Sequence, residues 1–118
     1  MPDVRSARST NLFASPLLAH VWDDGPALND ELRERILAHR QANPGESKTN
    51  VGGWHSAAGQ IEFCGAAGRT LVRHMYELAD EATRRVLVEF GHPSRPMRWT
   101  LHAWANVNHA GDFNRVHT

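Results

Sequence analysis

The sequence predicts an α+β fold: two amphipathic helices packed on a small antiparallel sheet. Three observations carry this expectation. Leu71, Met75, Leu78, Ala82 and Val86 recur at three- and four-residue spacing, with Leu87 and Phe90 widening the stripe, the mark of a helix with one apolar face. Leu28, Leu32, Ile36 and Leu37 draw a shorter stripe of the same kind. From Arg98 to Asn108 the period changes to two, with Trp99, Leu101, Ala103, Ala105 and Val107 alternating against Arg98, Thr100, His102, Trp104, Asn106 and Asn108, as in a strand with one face on a core.

In chain order, Leu17 to Trp22 is expected to be a short edge strand, because Pro16 beside it cannot donate to a central ladder. Asp23-Asp24-Gly25-Pro26 forms a turn that opens the first helix, where the missing N–H of Pro26 costs nothing. Asp30 and Glu31 complement the helix dipole, while Arg33, Glu34 and Arg35 lie off the apolar stripe and are expected in solvent. Asn43-Pro44-Gly45 stops the helix, since a residue before proline is driven out of helical geometry. Residues 43–59 are rich in Gly, Ser, Asn and Thr and read as a long loop, a class of segment enriched in function. On the second helix, Asp80 with Arg84 and Glu81 with Arg85 are spaced for four-apart ion pairs. Gly91 and Pro93 end it. His109-Ala110-Gly111-Asp112 reads as a turn, and Phe113 onward as the start of a returning strand.

Composition narrows the classes of function. The chain has 118 residues, 41% hydrophobic and 22% charged, an ordinary globular mixture. Thirteen Lys and Arg balance thirteen Asp and Glu, which gives no broad electrostatic footprint for nucleic acid. No apolar run approaches the ~20 residues of a bilayer span, and Met1 to Thr10 lacks the apolar core of a secretory signal. A single cysteine, Cys64, forms no intrachain disulfide and is expected to be a small buried hydrophobe. A cytoplasmic location, no nucleic acid or membrane partner, and an unknown small-molecule or peptide substrate are the corresponding expectations.

The polar strand face and the turn after it hold the candidate chemistry. Periodicity alone allows two readings of that face: it meets water on a half-exposed strand, or it lines a site, with Asn106 and Asn108 as the lining residues. The isolated His20, His39, His74 and His92 have no ligand spacing and are expected at the surface or in satisfied polar contacts. His55, in the Gly-rich loop, and His102, on the strand's polar face, have better placement for a pocket. There is no HExxH, CxxC or His-x-His pattern, and no paired carboxylates or activated nucleophile to support hydrolysis. Trp54 follows Gly52 and Gly53; it either closes over a site or plugs the core from the loop, and the second is the expectation.

The run Trp104-Ala105-Asn106-Val107-Asn108-His109-Ala110-Gly111-Asp112-Phe113-Asn114-Arg115-Val116-His117 resembles the W-x-N-x-x-x-x-G-D-[YF]-N-x-x-H-x-H-P signature of a family of 2-oxoglutarate/Fe(II)-dependent oxygenases. Asn50-Val51-Gly52-Gly53-Trp54-His55-Ser56 resembles a second signature of that family, and Leu12-Phe13-Ala14-Ser15-Pro16-Leu17 its opening L-F-x-x-P-L strand. His109 stands where many relatives carry Arg or Lys, and Val116 where proline is frequent.

The resemblance implies a double-stranded β-helix, or jelly roll, of which this chain would be the first part: residues 1–95 supply the N-terminal strand, helices and loop of one truncated domain, and 96–118 begin the barrel. It implies Fe(II) and 2-oxoglutarate as cofactor and cosubstrate, hydroxylase-type oxidation as the activity, and His117 as the first of two iron ligands two residues apart. The second histidine would fall at position 119, and the distal histidine and the arginine for the 2-oxoglutarate carboxylate further on. Chain 1–118 is therefore expected to bind neither group alone and to lack catalysis. The competing expectation is a small non-catalytic binding or dimerisation module, joining copies through the open edge of its sheet.

Overall fold

The computed structural model describes Arg5, residues 7–57, Gly59 and residues 61–116. Two helices dominate: α1, Gly25–Ala42, and α2, Gly65–Glu89, the second entered through a 3-10 turn at Glu62–Cys64. Among the described residues, four two-residue strands, β1 (Asn50–Val51), β2 (Trp54–His55), β3 (Asn106–Val107) and β4 (Phe113–Asn114), complete the α+β fold.

The strands form two small antiparallel sheets, β1 with β4 and β2 with β3. Asn50 faces Asn114 and Val51 faces Phe113; Trp54 faces Val107 and His55 faces Asn106. Both sheets join the same two stretches of chain, so they make one ribbon interrupted by Gly52-Gly53 on one side and residues 108–112 on the other. Bonds from Arg115 N–H to the Thr49 carbonyl, Ser56 N–H to that of Ala105, and Ala103 N–H to that of Gly59 extend the ribbon at both ends.

The helix ends follow their residues. Pro26 sits in the first turn of α1, but Asp24 at its N-cap gives the helix no side-chain bond, because both carboxylate oxygens accept from His74 Nε2 at 3.0 Å. Asp30 and Glu31 fall beyond the first turn. Asn43 closes α1, with its side-chain amide donating to the His39 carbonyl at 2.9 Å. The stop of α2 is a Schellman motif: His92 N–H bonds the Leu87 carbonyl and Gly91 N–H that of Val88, with Gly91 at φ 73, where a side chain would be strained.

The core is small and sits where the ends of both helices meet the ribbon. Among the described residues Trp54, Cys64, Ala67 and Ala105 are its buried apolar residues, joined by Ser56 and His55, while His74 is buried apart from them, against Trp22 and Asp24. The Trp54 indole donates to the Asn43 carbonyl at 2.9 Å, and Gly45 leaves room for that ring, since an added Cβ would lie 2.6 Å from its Nε1. His39 stacks on Phe63 at 3.9 Å and meets Trp54 edge-on. Gly68 lets α2 approach the 3-10 turn, because a Cβ there would stand 2.8 Å from that of Cys64. Trp54 thus plugs the core.

Several expectations need correction. Residues 17–22 form no strand: they run along α2 without a ladder partner, tied at one end by Trp22, which stacks on His74 at 3.9 Å and 8°. The period-two stretch enters a ladder only at Asn106–Val107. Its apolar residues meet both helices. Trp99 reaches α2 by donating to Asp80 Oδ1 at 2.6 Å, whereas Val107 faces α1. Asp80 is therefore not the partner of Arg84; Glu81 binds both Arg84 and Arg85 at 2.7 Å. Phe113–Asn114 returns to β1, not to β3, whose ladder is already taken by β2.

Less of the surface is covered than in a compact domain of this length. The radius of gyration is 20.3 Å, against about 13.5 Å for a compact domain of this length. The accessible area is 9874 Å², where scaling for a 13.2 kDa monomer gives about 6,400 Å². Phe13, Leu17 and Val21 are exposed, as are Phe90 and Phe113. Neither helix buries its full stripe, and α1 has no fully buried residue.

Candidate functional site

The two segments that carry the sequence signatures, some fifty residues apart, meet in the ribbon. Gly52 and Gly53 adopt φ of 67° and 65°, the left-handed region that glycine enters without steric cost. Each also admits a side chain from the opposite segment. A Cβ on Gly52 would lie 2.1 Å from Asp112 Oδ1, and one on Gly53 would lie 2.3 Å from Asn108 Oδ1. Asp112 is held there by two local bonds: its Oδ2 accepts from the His109 N–H at 2.7 Å, and its own N–H donates to the His109 carbonyl at 3.0 Å. The turn at 109–112 is thereby fixed, and the glycine pair is shaped to receive it.

Behind β2, the ribbon is sealed. His55 is buried with its ring stacked near Trp104, centroids 5.8 Å apart, and its Nδ1 is engaged by the Ser56 carbonyl. The Ser56 hydroxyl accepts from Ala105 N–H at 2.9 Å. In front of β3, a groove of about 630 Å³ separates the ribbon from α1. Asn106, Val107, Asn108 and His109 form one wall; Leu32, Ile36 and Leu37 of α1 form the apolar part of the other. Arg33 and Arg40 rise from α1 into the same groove, and Arg40 Nη2 donates to His109 Nε2 at 3.2 Å. An arginine only donates, so that nitrogen of His109 must carry the lone pair.

Asn106 and Asn108, expected to line a site, both border this groove. His117, the expected iron ligand, lies outside the described residues. His55 is committed to the ribbon interior and His102 is exposed, so neither opens into the groove. Among the described residues, no group of three or more His, Cys, Asp or Glu side chains could hold a metal ion; these residues alone do not fit an iron centre.

Sequence reasoning misses three participants. Arg33 is exposed, as the sequence implies, but it also borders the groove from beside the apolar stripe. Arg40 and His109 meet across 69 positions, which no local pattern encodes. The third is the Asp24–His74 pair, a side-chain contact across 50 residues. His74 is almost fully buried, its Nε2 bound by Asp24, and its Nδ1 lies 3.9 Å from Glu77. Its Nε2 contact clamps the start of α1 to α2, while Nδ1 is buried without a hydrogen-bond partner among the described residues.

Elsewhere the electrostatics are local. Hydrogen bonds from Arg84 and Arg85 hold the exposed Glu81 carboxyl down at about 2. Burial pushes the Cys64 thiol above its ordinary value, partly opposed by the charge of Arg35. That makes Cys64 a packing residue, not a ready nucleophile.

Compared with family models, with curated proteins and with solved structures, the chain finds no match in any of the three. Among the described residues no helix is long and apolar enough to cross a membrane.

Proposed function

We propose that this chain is the N-terminal portion of a non-haem Fe(II)/2-oxoglutarate-dependent oxygenase, acting on a substrate whose identity these residues leave open. One observation carries the reading. The Gly-rich segment and the W-x-N-x-x-x-x-G-D-F-N segment each resemble a family signature independently, and they pack on each other through the glycine pair, Asn108 and Asp112. Signatures that jointly build one end of a site are expected to meet, whereas chance likenesses have no reason to. In the proposed enzyme the ribbon would be the first piece of a double-stranded β-helix, with His117 as an iron ligand supplied just beyond β4. The bound metal and 2-oxoglutarate would supply the oxidising chemistry; Asn106 and Asn108 would line the substrate side.

The low burial fits this reading, because strands closing a barrel would cover the exposed apolar residues and pair the free edges. The reading predicts that residues 1–118 alone convert no 2-oxoglutarate. A protein that continues past Thr118 through the implied histidines should form succinate from 2-oxoglutarate with added Fe(II), and His117→Ala should abolish this. Succinate formation at the same rate by the short chain would contradict the proposal.

A further inference from the structure

The groove between α1 and the ribbon is more specific than an apolar crevice. Its α1 wall is one face of the helix, from Asn29 to Arg40, about 16 Å long at 1.5 Å per residue. The middle of the groove is apolar, built from Leu32, Ile36 and Val107, and among the described residues no carboxylate borders it. Arg33 and Arg40 stand two turns apart on this wall, and among the described residues neither is paired with an acid. Among the described residues the Arg40 guanidinium meets only His109 Nε2, which leaves most of its donors unused. Two cations with no acid at ion-pair distance among the described residues thus border one open groove, which favours an anion there. Asn106 and Asn108 face them with amide groups that donate and accept.

We propose that this groove binds a small amphipathic acid, with its carboxylate or phosphate oxygens on Arg40, its apolar body along Ile36, Leu32 and Val107, and Arg33 at the far end adding positive charge to the groove. Guanidinium groups match both oxyanions with paired hydrogen bonds, and the apolar floor selects for a hydrocarbon body. Asn108 and His109 border the Arg40 end and orient the head group. The inference stands on the groove's own chemistry and holds whether or not the oxygenase reading does, because it needs no metal and no residue beyond Asn114.

The test is a titration of the ¹⁵N-labelled chain, followed by amide shifts, with hexanoate, hexyl phosphate and 1-hexanol as probes. Saturable shifts confined to residues 29–40 and 106–109 are expected with one or both acids, and not with hexanol at equal concentration. Response to hexanoate alone assigns the site to carboxylates, and response to hexyl phosphate alone to phosphates. Arg40→Gln should weaken binding about tenfold, the loss of roughly one charge-assisted hydrogen bond, and Arg40→Lys should restore part of it. Because Arg40 also touches the ribbon through His109, Arg33→Gln provides a second test free of that contact; it should weaken binding severalfold with the ribbon amides unshifted. Equal binding of hexanol, shifts centred on Arg84 and Arg85, no saturable binding, or acid binding indifferent to both arginine substitutions would each overturn the proposal.

Discussion

Substituting Gly52 with alanine should destabilise the protein by about 2–3 kcal/mol, and the structure divides that cost. Forcing an L-residue into the left-handed region costs roughly 1–2 kcal/mol, and Gly52 sits there at φ 67. The new Cβ would also overlap Asp112 Oδ1 at 2.1 Å. Asp112 must then swing away, losing its 2.7 Å bond to His109 N–H, which adds about 1 kcal/mol. Gly91→Ala is the reference. Gly91 has φ 73 and nothing within 4 Å of where a Cβ would stand, so it bears the backbone cost alone. Urea unfolding of Gly52→Ala, Gly91→Ala, Asp112→Ala and the Gly52→Ala/Asp112→Ala double variant reads out the terms. Once Asp112 is removed the overlap vanishes, so the double variant should be less destabilised than the sum of the singles by about 1 kcal/mol. Strict additivity, or Gly52→Ala no worse than Gly91→Ala, would refute the claim that the two signature segments are fitted to each other.

Three further outcomes follow from the same geometry. Cys64 is 1% exposed and its thiol is raised by burial, so it should react with a disulfide reagent far more slowly in the native chain than in denaturant; comparable rates would mean the 3-10 turn does not pack on α2. Glu81 is held at about 2 by Arg84 and Arg85, against an ordinary 4.5. A depressed carboxyl stabilises the fold above its ordinary value, and that help is lost as pH falls from 4.5 toward 2. An NMR pH titration should therefore place the Glu81 midpoint well below the ordinary 4.5, and Arg84→Gln should move it upward. The uncovered Phe13, Leu17 and Val21 and the open ribbon edges should drive self-association; light scattering should show dimers or larger species, and a clean monomer at high concentration would contradict this.

The helices are legible in the sequence because an apolar stripe repeats every three or four residues and specific residues mark its ends. Pro26, Asn43-Pro44 and Gly91 each stop or start a helix by a local steric rule, and each does so in the structure. The turn at 109–112 is legible for the same reason. The ribbon is not. Alternation over residues 98–108 shows that this stretch can be extended, but a ladder needs a partner, and only 106–107 finds one. Nothing local says that Asn106 will face His55 or that Phe113 will pair with Val51. The groove is hidden by the same limit: alternation points to Asn106 and Asn108, but Arg33, Arg40 and His109 become neighbours only through the packing of α1 on the ribbon. Asp24 shows a conflict between levels, since its sequence position suits a helix cap while its side chain goes to His74.

The central claim turns on His117 and on a band that requires metal and cosubstrate together. Under anaerobic conditions, the protein continued past Thr118 should develop a visible absorption band when Fe(II) and 2-oxoglutarate are both present, and neither alone should produce it. His117→Ala should remove the band, while His92→Ala, an exposed change at the end of α2, should leave it intact. A band that survives His117→Ala at full intensity, or that fails to appear in the unsubstituted protein, would contradict the assignment of this chain to an iron- and 2-oxoglutarate-dependent oxygenase.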